Sequence, residues 1–256
     1  MLLQEPSLRG LEMGSPGWFA AQRALLDSKP LLRGCYDDWY RRLIADAASV
    51  PLDAGGELLE LGSGGSYLCT MLPGVITSDV VAGLADRVVD ARALPFADGG
   101  LRAILLTHCL HHIPEVTRFF AEAERTLVPG GVVSMIEVAH TPLARAVFGH
   151  LHPEPYDDQA GDWTFDQTDA MADANQALSW LVFVRDRARF ERQHPTLRID
   201  RLALLPWFAY LVSGGVTRRS LLPGALGFVA TAVDRMTRPV AGAVALHWHI
   251  TLRKVA

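Results

Sequence analysis

Two groups of residues in this sequence have the types and spacing for cofactor binding or catalysis. The first is the turn Gly62-Ser63-Gly64-Gly65, which directly follows an apolar run ending in Glu60-Leu61. Glycines at the carboxyl end of a buried parallel strand let the backbone approach a ligand that side chains would keep away, so the turn predicts a nucleotide-cofactor site. The second group is His108, His111 and His112, whose imidazoles could exchange a proton near neutral pH.

Acidic residues end two further apolar runs. Residues 75–79 end in Asp79, and residues 87–91 end in Asp90-Ala91. In an open α/β sheet these strand ends meet at the edge where ligands bind, the edge that also carries the glycine turn. A ribose would lie beside Asp79 if the glycine turn held the other end of a nucleoside.

Alternating strands and helices are needed to bring these residues together. Apolar runs predict further strands at 101–108 and 132–138, and helical periodicity predicts a helix at 116–127. Because residues 67–74 are few, the helix after the glycine turn should be abbreviated. An amphipathic helix at 36–48 precedes the first strand. Its aromatic side chains, Tyr36, Trp39 and Tyr40, either cover the cofactor or pack on the sheet.

The order of these motifs resembles the class I S-adenosylmethionine-dependent methyltransferases of the small-molecule type, over roughly the first 140 residues. The family's glycine motif corresponds to residues 60–66, its second-strand acid to Asp79, its adenine-contacting pair to Asp90-Ala91 and its segment before the fifth strand to residues 125–131. Ser66 departs from the family, which commonly has a third glycine there. The resemblance implies S-adenosyl-L-methionine as cofactor, bound by Glu60, Gly62, Ser63, Gly64, Gly65, Asp79, Asp90, Ala91 and His108.

The resemblance also implies an α/β fold, a Rossmann-like, seven-stranded, mostly parallel sheet with helices on both faces and an insertion after the fifth strand. We expect one methyltransferase domain, with an amino-terminal helical cap (1–50), a cofactor-binding core (51–140), an acceptor-side insertion (141–196) and carboxyl-terminal edge strands with a helix (197–256). The insertion should contain a helix at 170–178, a strand at 180–184 and a helix at 185–193. The last region should contain antiparallel strands at 197–205 and 245–252, joined by a helix at 224–236.

Methyl transfer to a hydroxyl acceptor requires alignment, exclusion of water and a base. His111 is the first candidate for that base and His112 the second, although this segment could simply begin a helix. Alternatives on the acceptor side are His140, His152, Glu154 and Tyr156. No metal is expected, because no carboxylate that would complete a site with the neighbouring histidines is identifiable. His247 and His249 are expected on a half-exposed strand face.

The sequence therefore predicts a cytoplasmic S-adenosylmethionine-dependent methyltransferase that O-methylates a small-molecule, sugar or lipid-linked acceptor. Two alternatives are a non-catalytic S-adenosylmethionine-binding protein and a NAD-dependent dehydrogenase. The dehydrogenase is disfavoured because Tyr67 occupies the third glycine position of its G-x-G-x-x-G fingerprint, where a ring would prevent close helix packing.

Bulk properties restrict the partners. The 256 residues carry a net charge of −4, which does not suit a nucleic-acid partner. The segment 1–6 lacks the features of a signal peptide, and the scattered Cys35, Cys69 and Cys109 fit a reducing compartment. The apolar region 202–233 is interrupted by prolines, glycines and arginines, so no transmembrane segment is expected. That region is expected to form core or line a pocket, with peripheral membrane contact as the alternative.

Overall fold

A computed structural model of the chain describes residues 4–255; residues 1–3, which belong to the segment examined for a signal peptide, and residue 256 lie outside the described residues. Seven strands form one sheet, with β1 at Glu57–Leu61, β2 at Val75–Asp79, β3 at Arg87–Val88, β4 at Leu101–Thr107, β5 at Leu127–Val138, β6 at Leu197–Leu204 and β7 at His247–Lys254. Their order is β3-β2-β1-β4-β5-β7-β6. The first five strands pair in parallel, and β7 is antiparallel to both β5 and β6. The predicted fold class is confirmed.

The helices of the described chain lie around this sheet. They are α1 (Pro16–Ser28), α2 (Pro30–Ala48), α3 (Leu68–Met71), α4 (Val116–Thr126), α5 (Pro142–His150), α6 (Leu178–Trp180), α7 (Arg187–Gln193), α8 (Phe208–Ser213), α9 (Gly227–Thr237) and α10 (Ala241–Val244). A π-helical turn follows α6 at Leu181–Arg185, and short 3₁₀ turns include Leu110–His112. No helix among residues 4–255 is both long and apolar enough to cross a bilayer.

Alternation along the central strands divides the core into two layers. Ile104 of β4 packs in a cluster with Phe120 of α4, whereas the next residue, Leu105, packs in a cluster with Trp39 of α2. Successive side chains of a strand point to opposite faces, so each strand supplies both layers. Strands buried on both faces position their carboxyl ends, and the loops that follow them, on a rigid base.

Most predicted elements of the first 140 residues are confirmed. The helix after the glycine turn is the four-residue α3, as the short segment required. The structure adds α1, which the sequence analysis did not predict. Its beginning has a local cause: Ser15 Oγ accepts a hydrogen bond from the backbone nitrogen of Trp18 at 3.2 Å, and Pro16 occupies the first helical position.

Three expectations in the second half of the chain are wrong. Residues 170–178 form mainly turns, and residues 180–184 are helical rather than a strand. Leu181, Val182 and Phe183 are fully buried there, and a short apolar run has the same composition in a buried helix as in a strand. The face that carries His247 and His249 is buried rather than half-exposed, because β7 lies inside the sheet between β5 and β6.

The antiparallel strand pair and the remaining helices agree with the expectations. β6 and β7 are the predicted antiparallel pair, and α7 and α9 lie within or close to their predicted ranges. His249 Nε2 lies 2.8 Å from Asp46 Oδ2, so this buried histidine ties β7 to α2.

Candidate active site

A cavity of about 460 Å³ opens beyond the carboxyl ends of β1, β2, β3 and β4. This volume is within the range of small-molecule pockets. The predicted cofactor-binding and catalytic residues all line it: Glu60, Gly62, Ser63, Gly64, Gly65, Asp79, Asp90, Ala91, His108, His111 and His112. Four separate strand ends therefore converge on one site, as the rule for open α/β sheets predicts.

The glycine turn is packed closely against protein on its outer side. Gly62 and Gly64 have backbone φ values of +66° and +45°, in a region that residues other than glycine rarely adopt. A Cβ on Gly62 would lie 2.6 Å from Cys109 Sγ, and one on Gly64 would lie 2.7 Å from Cε1 of Phe19 on α1. Both glycines thus permit close contact with neighbouring elements of the protein.

Glu60 holds this turn from beneath. Ser63 Oγ donates to Glu60 Oε2 at 3.0 Å, and Ser66 Oγ donates to Glu60 Oε1 at 2.7 Å. Burial raises the pKa of Glu60 to about 7, although the two serine hydrogen bonds partly oppose that shift. The departure at Ser66 from the family's glycine pattern therefore has a structural role, since its hydroxyl links Glu60 to the Tyr40 hydroxyl 2.9 Å away.

Two acids on neighbouring strand ends lie farther along the cavity. Asp79 Oδ2 accepts a hydrogen bond from the Gly64 nitrogen at 3.0 Å, so it fixes the turn as well as facing the cavity. Burial raises the pKa of Asp79. Asp90 is paired with Arg92 at 2.8 Å, and hydrogen bonds from that guanidinium lower the pKa of Asp90.

His108 follows β4 in a strained conformation with φ of +53°. Burial lowers its pKa to about 4, so the ring is neutral near pH 7. Its Nε2 is buried and has no hydrogen-bond partner among the described residues. The rings of Trp39 and His247 pack against the imidazole ring of His108.

His111 lies between two carboxylates, Glu137 and Glu154, at the wall of the cavity. The 3₁₀ turn Leu110–His112 places its ring over the end of β5, where His111 Nδ1 lies 2.6 Å from Glu137 Oε2. Glu137 is fully buried, and its Oε1 accepts hydrogen bonds from the backbone nitrogens of Cys109 and Leu110 at 2.9 and 2.7 Å. On the other side, His111 Nε2 lies 3.4 Å from Glu154 Oε2.

These carboxylates set the protonation of His111. Burial alone would lower its pKa, but the charges and hydrogen bonds of Glu137 and Glu154 raise it to about 10. The same imidazolium holds the pKa of Glu137 below its ordinary value despite burial, and it helps to lower the pKa of Glu154 to about 2. His112 behaves in the opposite way, because burial and the His111 charge lower its pKa to about 4.

The four residues that the sequence offered as alternative bases on the acceptor side lie in two different places. His152 and Glu154 line the cavity, and Gln176 Nε2 donates to Glu154 at 2.7 Å. His140 and Tyr156 lie outside the cavity lining and hydrogen-bond to each other at 2.8 Å.

Glu154 also supplies the carboxylate that the sequence did not identify beside the histidines. One ligand atom from each of His111, His112 and Glu154 lies within 4.8 Å of the others, a spacing that could hold a metal ion. The absence of a metal therefore stays a prediction.

Several cavity residues were not identified from the sequence. Trp18, Phe19 and Gln22 come from the unpredicted helix α1, and Tyr210 and Val216 come from the region after β6. Glu137 could have been found, because it ends an apolar strand in the same way as Glu60 and Asp79. Of the aromatics of α2, Tyr36 and Tyr40 reach the cavity, whereas Trp39 packs in the core.

Comparisons with known proteins agree with this arrangement. Residues 59–135 match the family model described as "Methyltransferase domain". A putative methyltransferase solved with the Haloferax volcanii Trm112 methyltransferase activator is 10% identical with a TM-score of 0.51, over 96% of this chain and 100% of that chain. A geranyl diphosphate methyltransferase solved with S-adenosylmethionine is 14% identical with a TM-score of 0.50, over 99% of this chain and 96% of that chain. Both structures share the fold.

The matched range contains the glycine turn, Asp79, Asp90 and His111, and it ends two residues before Glu137. It favours the methyltransferase over the dehydrogenase alternative. Residues 59–135 are therefore identified as a methyltransferase domain of the S-adenosylmethionine-dependent type, with S-adenosyl-L-methionine as the methyl donor.

Proposed function

We propose that this enzyme methylates a hydroxyl oxygen of a small acceptor, a sugar or a similar polyol, and that His111 is the base. The observation that carries the proposal is the contact at 2.6 Å between His111, which lines the cavity, and Glu137, which is buried behind it. A carboxylate on one imidazole nitrogen fixes the orientation of the ring and increases the basicity of the other nitrogen.

The residues of the glycine-turn end fit the donor. The turn Gly62-Ser63-Gly64-Gly65 offers close backbone approach, Asp79 offers a carboxylate for ribose hydroxyls, and Ala91 lines the cavity beside Asp90, where we place the adenine. The unpartnered Nε2 of His108 is buried at the same site and suits a polar contact with the amino-acid part. When bound, S-adenosylmethionine supplies a methyl group on a sulfonium, which is activated for in-line attack.

His111 then acts through its Nε2. Glu137 occupies Nδ1, so Nε2 is the nitrogen that can take a proton from an acceptor hydroxyl. In the free enzyme Nε2 faces Glu154 at 3.4 Å and is largely protonated. The competent form is the minor neutral one, and an acceptor hydroxyl that enters between His111 and Glu154 would weaken the pairing that keeps the ring charged. His112 remains the second candidate.

The acceptor end of the cavity favours a molecule with several hydroxyls. His112, His152, Glu154, Gln167 and Gln176 all face it. Gln176 Oε1 is buried without a hydrogen-bond partner among residues 4–255, so a donor from the acceptor would satisfy it. These polar groups support a sugar-like acceptor over a purely apolar one.

The four sequence regions each contribute to this site, which supports a single methyltransferase domain. Region 1–50 supplies Trp18, region 51–140 supplies the glycine turn, region 141–196 supplies Glu154, and region 197–256 supplies Tyr210. We place the enzyme in the cytoplasm, on the basis of its free cysteines, and assign no nucleic-acid partner, on the basis of its net charge of −4. The acceptor is either free or linked to a lipid.

The test is formation of S-adenosylhomocysteine with a panel of sugars and polyols, followed by identification of the methylated atom by NMR. His111→Gln should lose turnover while calorimetric binding of S-adenosylmethionine persists. His150→Gln is the matched control, because His150 is exposed on α5 and does not line the cavity. A product methylated on carbon, or full turnover by His111→Gln, would reject the assignment.

A further inference from the structure

Among residues 4–255, one segment carries more exposed large apolar side chains than any other segment of similar length. Six large apolar residues between positions 221 and 240 are exposed, and Phe228 and Met236 are 71% and 80% accessible. The others are Leu221, Leu226, Val229 and Val240. Single exposed apolar residues are ordinary, but such a concentration marks an interaction surface. We call the exposed apolar residues of 221–240 the α9 surface.

The helix α9 presents its apolar face outward. Phe228, Ala232 and Met236 are spaced four residues apart and are all exposed. The inward face carries Ala230, Asp234 and Thr237. Helices at a protein surface ordinarily bury the apolar stripe and expose the polar one, so α9 has the reverse arrangement.

The inward contacts hold α9 firmly in this orientation. Asp234 Oδ1 accepts hydrogen bonds from the backbone nitrogens of Trp207 and Phe208 at 2.9 and 2.8 Å. Thr237 Oγ1 accepts a hydrogen bond from Trp207 Nε1 at 2.9 Å, and Ala230 is fully buried. The outward face is thus a fixed feature of the fold, which a small rotation of the helix would not bury.

The charged residues that flank the α9 surface in the chain are almost all arginines. Arg218, Arg219, Arg235 and Arg238 are exposed, and none of them forms an ion pair with the part of the chain that the structure describes. The only acid between positions 202 and 246 is Asp234, whose oxygens are engaged by backbone nitrogens. Apolar side chains flanked by unpaired arginines match an interface of acyl chains and anionic headgroups.

We propose that the α9 surface docks on an anionic phospholipid bilayer. The charges disfavour a second copy of the chain as occupant, because a twofold contact would place arginines against arginines. Tyr210 of α8 lines the active-site cavity, and the start of α8 is hydrogen-bonded to Asp234 of α9, so the α9 surface adjoins an element of the cavity wall. Docking by this surface does not depend on which acceptor the enzyme methylates.

Co-sedimentation of the full chain with vesicles tests this surface. The protein should bind phosphatidylcholine vesicles that contain phosphatidylglycerol and bind vesicles of phosphatidylcholine alone much more weakly. The double substitution Phe228→Ser and Met236→Ser should weaken binding by about tenfold or more, because it removes the side chains that enter the acyl boundary. Arg235→Glu with Arg238→Glu should cost about fivefold or more for each arginine removed.

Leu52→Ser is the matched control, since Leu52 is 81% exposed and precedes β1 at the opposite edge of the sheet from the cavity. Its vesicle binding should equal that of the unmodified protein. No vesicle binding at either composition, an equal loss in Leu52→Ser, or a dimer that Phe228→Ser dissociates in ultracentrifugation would overturn the proposal. Methyl transfer to a soluble acceptor is measured separately, so failure of docking and failure of the proposed chemistry give different results.

Discussion

The pH dependence of methyl transfer should report the protonation of His111. Its pKa is raised to about 10 by Glu137 and Glu154 against the effect of burial. At pH 7.5 such a group is neutral in about one molecule in 300, so kcat/KM should rise about tenfold per pH unit from about pH 7 to about pH 9. The assay is initial rate of S-adenosylhomocysteine formation at limiting acceptor, with the donor saturating.

Substitution of the base should remove most of the rate of methyl transfer and also its dependence on pH. His111→Gln should lower kcat by about 10² to 10⁴, the usual contribution of a general base, and should leave the remaining rate flat between about pH 7 and about pH 9. The substitution leaves Glu137 buried beside a neutral amide, which could destabilise the fold by about 3–5 kcal/mol. The double variant His111→Gln with Glu137→Gln avoids that buried charge and should show the same flat profile. A wild-type rate independent of pH in this range, or a slope that survives in these variants, would refute the reasoning.

Other predictions concern the turn and the metal question. Glu60 has a pKa raised from 4.5 to about 7, so its contribution to stability is fully present below pH 4.5 and is lost as pH rises through 7. Glu60→Gln should therefore flatten the decline in unfolding free energy across that range, by up to about 3 kcal/mol in chemical denaturation. Asp79→Ala should weaken S-adenosylmethionine binding by about 1.5–3 kcal/mol in calorimetry, and an unchanged affinity would place the ribose contact elsewhere. Gly64→Val should abolish that binding, because its Cβ meets Phe19 at 2.7 Å, whereas Gly149→Ala, with open space around its Cβ, should bind normally. Treatment with EDTA should leave turnover unchanged, and restoration of lost activity by a divalent ion would instead make the histidine cluster a metal site.

The cofactor half of the site was predictable because its residues are local to strand ends. Each of these residues lies at or directly after an apolar strand: Glu60, the glycine turn, Asp79 and Asp90. A parallel sheet brings the carboxyl ends of its strands to the same edge. The sequence did not predict the part of the cavity wall that α1 forms. Phe19 reaches Gly64 from α1, and that contact depends on how a separate helix packs rather than on any motif.

The acceptor half was less predictable because its contacts are long-range and its elements are short. The run 180–184 has a composition compatible with either a strand or a buried helix, and burial against Phe120 and Phe190 decided for the helix. His247 was expected at a partly exposed face. Its position on a strand inside the sheet reverses that expectation, and its ring is buried against Trp39 and Tyr210.

The local motif could not decide between His111 and His112 as the base, because the deciding contact comes from a residue distant in the sequence. Both imidazoles belong to one 3₁₀ turn, and both are near Glu154, at 3.4 and 3.7 Å. Only His111 also contacts Glu137, a residue from the next strand that is held in place by two backbone nitrogens of the same turn. That single carboxylate separates the protonation of two adjacent histidines, because the charge it stabilises on one ring suppresses charge on the other. If Glu137 sets this difference, Glu137→Gln should lower the pKa of His111 strongly without raising that of His112, because Glu137 also raises the pKa of His112. NMR titration of the two rings would then show a smaller separation between their pKa values, and an unchanged pKa of His111 would contradict the role of Glu137.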